Sequence, residues 1–247
     1  MSVPRLHVPG LAGVLASGGD VAVPEAAAHH AARVLRLRAG DRVALFTGEG
    51  GEYDAQIARV DRRAVTATIG DFKPIERESP LRVTLVQAVA AGDAMDYAIR
   101  KSVELGAAAI QPVVTARSAP LPGGERVRAR AARWQQIAVA ACEQCGRNRV
   151  PVVHAPLALA AWLGARDAAA PALMLAPDAS RALGELAPPA AALDVLVGPE
   201  GGFDEAESAT CRAAGLLAVR IGPRVLRTET AGPALLAAAN VLWGDFR

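Results

Sequence analysis

Two neighbouring stretches near the C-terminus decide the fold: LVGPEGGFDEAE (residues 196–207) and VRIGPRVLRTETAG (residues 219–232). In each stretch a short apolar run ends at a Gly-Pro pair, which is typical of a strand leaving a sheet. The first bend is rich in glycine around Glu200, and Asp204 with Glu207 three residues later predicts a capping box at the start of a helix. Because ligands of open α/β sheets bind beyond the carboxyl ends of the strands, these two bends are the candidate ligand site.

The carboxylate of Glu200 narrows the choice of ligand. The bend has neither the lysine of a P-loop nor a G-x-G-x-x-G pattern, and a buried carboxylate would repel a pyrophosphate strongly at low dielectric. A cation, a hydroxyl or an exocyclic amine fits better, as in a cationic or neutral nucleoside-like ligand such as S-adenosylmethionine. A purely structural glycine turn explains the bend equally well, so both interpretations stay open on the residues alone.

The pattern along the chain changes near residue 75. Upstream, alternating strands flank the turn GEGG (48–51), AVTATIGDF supplies a third strand, and PEAAAHHAARVLRL (24–37) is predicted to form one helix. The segment KPIERESPL (73–81) is typical of a linker. We therefore predict a small β-barrel domain over residues 1–74 and a second domain over residues 75–247.

The second domain alternates apolar strands with helices. The predicted strands are LRVTLVQAVA, AAIQPVVT, VPVVH, ALMLAP, LDVLVG and LLAVRIG, and the helices include DAMDYAIRKSVELG, ERVRARAARWQQIAVAACEQCG and AGPALLAAANVLW. Such alternation is typical of an α/β fold with a mostly parallel sheet covered by helices.

The composition favours a soluble cytoplasmic protein. The chain is 52% hydrophobic and 21% charged, but no apolar run approaches the roughly 18–20 residues of a membrane span, and the N-terminus lacks the apolar helix of a signal peptide. Three cysteines form no disulfide framework. Cys142 and Cys145 are interpreted as helical neighbours, because a zinc site would need two further ligands at matching spacing, and no metal is expected.

The charge is balanced overall but uneven along the chain. The net charge is +2, yet residues 117–149 hold seven arginines against two glutamates, while residues 171–247 hold six basic and nine acidic side chains. A basic block in a balanced chain indicates a polyanionic partner such as RNA. An ordinary solvated helix face is the competing interpretation.

The paired motifs resemble those of the SPOUT-class RNA methyltransferases, and within that class the ribosomal RNA small subunit methyltransferase E family. The likeness rests on LVGPEGGFDEAE followed by IGPRVLRTETAGPALLAA (221–238). It extends upstream over three further segments: HHAARVLRLRAGDRVALFTGEGGEYDAQI (29–57), KSVELGAAAIQPVVTARS (101–118) and RWQQIAVAACEQCGRNRVP (133–151). The resemblance therefore covers nearly the whole chain.

The resemblance implies a fold and a reaction. The fold would be a PUA-like RNA-binding β-barrel followed by a SPOUT-type parallel sheet with a trefoil knot, in a homodimer. The reaction would be S-adenosylmethionine-dependent methylation of N3 of one uridine in 16S rRNA of the small ribosomal subunit. The residues it implies for cofactor binding are Leu175, Val197, Gly198, Pro199, Glu200, Gly201, Gly202, Ile221, Gly222, Leu226 and Arg227.

Three residues of these motifs are candidates for catalysis. Uridine N3 must lose its proton before it is a good nucleophile, so Arg227 is expected to stabilise negative charge on a uracil oxygen, unless it only pairs with Glu229. Glu229 and Glu200 are candidate bases, but either could instead hold the cofactor or cap a backbone amide. Removal of the proton by water is a further alternative.

RNA phosphates would be contacted by basic side chains from both domains. The candidates are Arg5, His29, His30, Arg36, Arg38, Arg117, Arg147 and Arg149, although the two histidines also suit a half-buried helix pair. Two rival functions stay open: a non-catalytic RNA-binding or ribosome-associated protein, and a Rossmann-type nucleotide enzyme, which the missing glycine fingerprint disfavours.

Overall fold

The chain forms two compact units in the computed structural model, which describes residues 3–10, 18–61, 64–120 and 123–246. The first unit takes in the chain up to Glu78 together with Cys142–Val150. The second takes in Ser79–Ala141 and the chain from Pro151 onward. The functional boundary near residue 75 stays a prediction.

The first unit is a five-stranded mixed sheet with one short helix. Its elements are β1 (Arg5–His7), β2 (Asp20–Val23), α1 (Glu25–His29), β3 (Arg42–Phe46), β4 (Glu52–Val60) and β5 (Val65–Lys73). The strand order is β1-β3-β4-β5-β2, with β1 parallel to β3 and the other pairs antiparallel. The predicted hairpin around residues 48–51 and the third strand are confirmed.

Alternation along the strands builds the core of this unit. In β5 the side chains of Val65, Ala67 and Ile69 are buried while their neighbours are not, as the period of two in a strand requires. They pack with Leu6 and Leu45 in one apolar cluster.

The predicted helix over residues 24–37 is wrong in its second half. α1 ends at His29, a π-helical stretch His30–Val34 follows, and Arg36 has a φ of +55°. A positive φ lies outside the right-handed helical region, so the helix cannot continue through this residue.

The second unit alternates strands and helices as predicted. Its elements are β6 (Arg82–Ala88), α2 (Asp93–Glu104), β7 (Ala109–Val114), α3 (Glu125–Cys145, whose end lies in the first unit), β8 (Val152–Val153), β9 (Leu157–Ala158), α4 (Leu159–Ala165), β10 (Ala172–Leu175), β11 (Ala192–Val197), α5 (Glu205–Ala213), β12 (Leu217–Val219) and α6 (Thr228–Trp243). The strand order is β12-β10-β11-β6-β7-β8, with β9 also paired to β7, and every pair is parallel. The predicted parallel α/β fold is confirmed, and the trefoil knot stays a prediction.

Helices cover both faces of this sheet. On one face, Val86 of β6 joins Trp162 of α4 and Cys211 of α5 in an apolar cluster. On the other face α6 lies so close that a Cβ on Gly232 would come within 2.9 Å of Leu85 Cδ1. Because all strands run the same way, the carboxyl ends of β6, β10, β11 and β12 share one edge, and both motifs begin there.

No helix among the described residues is both long enough and apolar enough to cross a membrane.

Candidate functional site

A cavity of about 800 Å³ opens where β10, β11 and β12 end. Its walls are residues 174–178 at the end of β10, residues 197–203 at the end of β11, and residues 219–222 and 224–229 from the end of β12 to the start of α6. This volume is in the range of small-molecule sites. The cavity brings together all the residues predicted for the cofactor: Leu175, Val197, Gly198, Pro199, Glu200, Gly201, Gly202, Ile221, Gly222, Leu226 and Arg227.

A buried threonine ties the two bends together. The Thr228 hydroxyl donates to the Gly198 carbonyl (2.6 Å) and accepts from Gln87 Nε2 (2.9 Å) at the end of β6. The same amide nitrogen donates to the Ala88 carbonyl at 3.0 Å. The ends of β6 and β11 and the start of α6 are therefore held in one hydrogen-bonded group at the cavity wall.

The glycine bend has the conformation that its sequence requires. Gly202 has a φ of +67°, which side chains with a Cβ rarely adopt. A Cβ on Gly198 would lie 3.1 Å from the ring of Phe203, a contact tight enough that the ring would have to shift. The glycine therefore favours the close packing of the ring on this bend.

Glu200 meets a backbone amide within the chain. Its Oε1 accepts the N–H of Ala91 at 2.9 Å, which links the glycine bend to the loop that follows β6. The side chain is nevertheless exposed and lines the cavity. Both alternatives from the sequence are therefore represented: the carboxylate caps a backbone amide and also faces the space where a ligand would lie.

The loop after β7 makes hydrogen bonds to the glycine bend and to the capping box that follows it. The predicted capping box is confirmed, with Glu207 N–H donating to Asp204 Oδ1 (2.7 Å) and Asp204 N–H donating to Glu207 Oε2 (3.1 Å). Glu207 Oε1 also accepts the N–H of Ala116 at 2.7 Å. Next to it, Arg117 Nη1 donates to the Gly201 carbonyl at 2.8 Å.

The second bend carries the charged candidates for catalysis. Arg227 is the residue before the first turn of α6 and its side chain is exposed, while Glu229 is half-buried within that turn. Both line the cavity. Among the described residues no ion pair joins them. The ion pair with Glu229, the alternative role for Arg227, is thus not formed among the described residues, and the catalytic role of Arg227 stays a prediction.

Sequence reasoning missed several cavity residues. Asp178 and Arg212 line the cavity but lie outside the two motifs and carry no local pattern. Arg220 also lines it and lies within the second motif, but it was not among the predicted site residues. Thr228 was detectable, because a threonine at the start of a helix beside a strand exit often binds backbone.

Three of the candidate RNA contacts bind carboxylates of the first unit. Arg5 forms an ion pair with Glu52, Arg147 with Glu78, and Arg149 with Glu76. The side chain of Arg147 is only 5% exposed, against 55% for Arg149. Despite the cost of burial, the contact with Glu78 raises the pKa of Arg147. The guanidinium of Arg147 thus stabilises the fold and is withdrawn from solvent.

The other RNA candidates of the first unit face solvent. Arg36, Arg38 and His29 are exposed and His30 is half-buried. The His29–His30 pair lies where the α-helix passes into the π-helical stretch, which suits both interpretations given for it. Arg36 and Arg38 make no side-chain hydrogen bond or ion pair with a described residue.

The cysteines form no recognisable centre. Within the described residues no group of three or more His, Cys, Asp or Glu side chains is placed to hold a metal ion. Cys142 is buried, which raises the pKa of its thiol to about 12, and its Sγ lies 3.6 Å from the Arg149 carbonyl. Such a thiol is inert as a nucleophile.

Comparison with known proteins places both units in protein families. The RNA methyltransferase domain family matches residues 77–240, and the RNA methyltransferase PUA domain family matches residues 23–70. Among curated proteins, the chain is 34% identical to the ribosomal RNA small subunit methyltransferase E of Synechocystis sp., over 90% of this chain and 73% of that protein. It is 30% identical to the protein of the same name from Bacillus subtilis, over 86% of each.

Two solved structures resemble the whole chain. A ribosomal RNA small subunit methyltransferase E from Neisseria gonorrhoeae, bound to S-adenosylmethionine, is 38% identical with a TM-score of 0.91. A methyltransferase from Legionella pneumophila, in complex with the same cofactor, is 32% identical with a TM-score of 0.94. Each comparison covers 100% of both chains.

Proposed function

We propose, from the premise that this chain belongs to the ribosomal RNA small subunit methyltransferase E family, that it transfers a methyl group from S-adenosylmethionine to N3 of one uridine in 16S rRNA. The observation that carries the proposal is the meeting of the two motif bends around one cavity, joined by the hydrogen bond from Thr228 to Gly198. The names of the relatives support ribosomal RNA as the class of substrate. The resemblance of the two motifs supports N3 of uridine as the methylated atom.

The residues of the cavity fit the methyl donor. S-adenosylmethionine carries a sulfonium, an amino group and ribose hydroxyls, and the cavity offers the carboxylates of Asp178, Glu200 and Glu229. The half-buried side chains of Ile221 and Leu226 provide an apolar surface for a nucleobase. When bound, the donor supplies an electrophilic methyl group.

Arg227 would stabilise the uracil as its N3 proton leaves. The negative charge formed at N3 spreads to the neighbouring carbonyl oxygens, and a guanidinium placed beside them stabilises that charge. The start of α6 fixes the backbone of Arg227, because the N–H groups of Thr230 and Ala231 both donate to its carbonyl at 2.9 Å.

Glu229 is the stronger candidate for the base that takes the proton. It is half-buried in the cavity wall, and its carboxylate makes no hydrogen bond or ion pair with a described residue. One carboxylate oxygen of Glu200 already accepts the amide of Ala91. We therefore propose Glu229 as the base and Glu200 as a residue that positions the glycine bend.

The remaining parts of the proposal concern assembly and location. We propose a homodimer, which is consistent with exposed Tyr97 on α2 and Val241 on α6, two helices that pack together. RNA would be held by a PUA-like domain over residues 1–74, with His29, His30, Arg36 and Arg38 as contacts, beside a knotted methyltransferase domain over residues 75–247. We also propose a cytoplasmic location, because the proposed substrate belongs to the small ribosomal subunit.

The reaction is tested by methyl transfer to unmethylated 16S rRNA and to small subunits, with the modified nucleoside identified by mass spectrometry. Arg227→Ala is expected to lower the rate of transfer by about 10²–10³-fold, as for loss of one charge-stabilising donor. Donor affinity, measured by calorimetry, should change much less. Arg82→Ala is the matched control, because Arg82 is an exposed arginine at the amino end of β6, away from the cavity.

The outcomes separate the rival functions. RNA binding without methyl transfer, in a protein that also fails to bind S-adenosylmethionine, would support a non-catalytic RNA-binding protein. Binding of NAD(H) in its place would support a Rossmann-type enzyme. Methylation of another base atom would refute the N3 assignment and leave the class of enzyme intact.

A further inference from the structure

A second cavity of about 390 Å³ adjoins the first. Ala176 and residues 178–181 line it on one side, and Arg212 with residues 216–218 lines it on the other. It shares Ala176, Asp178 and Arg212 with the first cavity, the proposed S-adenosylmethionine site, which is called the cofactor cavity below. A molecule that reaches into the cofactor cavity could therefore extend into this neighbouring space.

Two arginines supply the charge of the second cavity. The side chains of Arg181 and Arg212 are exposed and line it. Neither makes a side-chain hydrogen bond or an ion pair with a described residue. This differs from Arg147 and Arg149, whose guanidiniums are held by carboxylates.

The wall that carries Arg181 is fixed by a third arginine. The Arg220 backbone N–H donates to the Arg181 carbonyl at 2.9 Å, and the Leu183 N–H donates to the Arg220 carbonyl at 3.1 Å. The guanidinium of Arg220 donates to the carbonyls of Ala179, at 2.8 Å, and Ser180. The backbone beside the cavity is thus set before any ligand arrives.

The carboxylates near this cavity do not neutralise it. Asp178 is the acidic residue in its lining, and it also lines the cofactor cavity, where a cationic donor would meet it. Glu185 accepts the N–H of Ala182 at 3.1 Å, which directs it to the backbone. The segment 171–247 is acidic by count, but at this cavity two arginines face one aspartate.

We infer that the second cavity binds a phosphate of the RNA strand next to the target nucleotide, through Arg181 and Arg212. This inference rests on the proposed function. Arginine suits the task because its planar fork binds two phosphate oxygens at once. The shared wall would place that phosphate close to the base entering the cofactor cavity.

The carboxylate of the methyl donor is a second anion that could bind in this cavity. Arg181 distinguishes binding of that carboxylate from binding of an RNA phosphate. Arg212 lines both cavities and also lies in the last turn of α5, where a cation complements the helix dipole. Arg181 lines the second cavity and not the first. A donor carboxylate would depend on Arg212, whereas a strand phosphate depends on both arginines.

The test measures the salt dependence of RNA binding by the full-length protein. Unmethylated 16S rRNA is titrated over a series of salt concentrations with wild type, Arg181→Gln, Arg212→Gln and the double variant. Removing both arginines, which together bind one single-strand phosphate, should reduce the slope of log K against log salt by about 0.7, and removing either one should reduce it by part of that amount. Arg82→Gln is the control, because Arg82 lies at the amino end of β6, and this variant should keep the slope of wild type.

Donor binding provides the second measurement. Calorimetry with S-adenosylmethionine should give the wild-type dissociation constant for Arg181→Gln, which also shows that the variant is folded. An unchanged slope in the double variant would overturn the inference. Loss of donor affinity in Arg181→Gln, with the slope unchanged, would assign the cavity to the donor instead.

The inference and the proposed function fail separately. If wild type leaves 16S rRNA unmethylated but its RNA-binding slope depends on Arg181, the proposed reaction is wrong and the phosphate site stands. If wild type methylates uridine N3 and the slope of RNA binding is unchanged when both arginines are replaced, the phosphate site is wrong and the reaction stands.

Discussion

Two groups of arginines in this protein do opposite things. Arg147 and Arg149 belong to the most basic stretch of the sequence, and both are bound to glutamates. Arg181, Arg212 and Arg227 belong to a stretch that is acidic by count, and their side chains are exposed without ion pairs to described residues. The count of charges along the chain therefore does not show which arginines are paired with carboxylates in the fold.

The difference follows from what an arginine meets in the fold. A guanidinium with a carboxylate at hydrogen-bonding distance forms a charge-assisted pair, and its charge is no longer available to a ligand. The partners of Arg147 and Arg149 lie about 70 positions earlier in the chain, at Glu78 and Glu76. An arginine with no carboxylate at this distance keeps its charge available to an anionic ligand.

The largest expected effect comes from removing Arg147, whose Nε donates to Glu78 at 2.8 Å. Arg147→Met leaves Glu78 in a mostly buried position without its cation. Breaking a buried pair on one side costs about 3 kcal/mol or more in the free energy of unfolding. Urea unfolding followed by circular dichroism measures this loss.

Arg149→Met is the matched control for that experiment. The Arg149 side chain is 55% exposed and bonds Glu76 at 2.6 Å, and exposed pairs contribute no more than about 1 kcal/mol. If the two variants lost equal stability, Arg147 would not act as a buried structural cation. It would then return to the candidate RNA contacts.

A smaller effect is expected at Arg117, which could belong to either group of arginines. It was predicted as an RNA contact, but its Nη1 donates to the Gly201 carbonyl in the glycine bend. Loss of a partly solvated hydrogen bond of about 1 kcal/mol should weaken S-adenosylmethionine binding about fivefold in Arg117→Ala. Calorimetry measures this change.

The salt dependence of RNA binding decides which group Arg117 belongs to. We expect Arg117→Ala to keep the wild-type slope, and Arg117→Lys to recover part of the donor affinity because lysine can still donate. A slope reduced by about 0.7 with unchanged donor affinity would instead make it an RNA contact, as the sequence predicts.

The fold and the cofactor cavity could be predicted because their signals are local. Glycine bends, a capping box and strand–helix alternation are each visible within a dozen residues, and the structure brings both motifs to one cavity. The end of the helical segment after Val34 was not visible, because no glycine or proline marks Arg36, which adopts a φ of +55°.

The charged surfaces could not be predicted because their determinants are distant in sequence. Whether Arg5 is free depends on Glu52 and Asn148, which lie 47 and 143 positions away. Whether Arg181 is held in place depends on Arg220, on the neighbouring strand exit. Hydrophobic period and turn chemistry carry no information about such pairs.

The smallest expected effect is a pH dependence at Glu52, whose side chain is 13% exposed. Burial alone would raise its pKa, but hydrogen bonds from Arg5 and Asn148 outweigh burial and hold the pKa below 4.5. Because the pKa is lower in the folded than in the unfolded state, the carboxylate stabilises the fold above pH 4.5, and this contribution is lost as pH falls through the folded-state pKa. The free energy of unfolding should therefore fall more steeply with acid in wild type than in Glu52→Gln, whose neutral amide does not titrate. If the two curves ran parallel, the charge of Glu52 would not strengthen its contact with Arg5. Arg5 would then belong with the arginines that remain available to RNA.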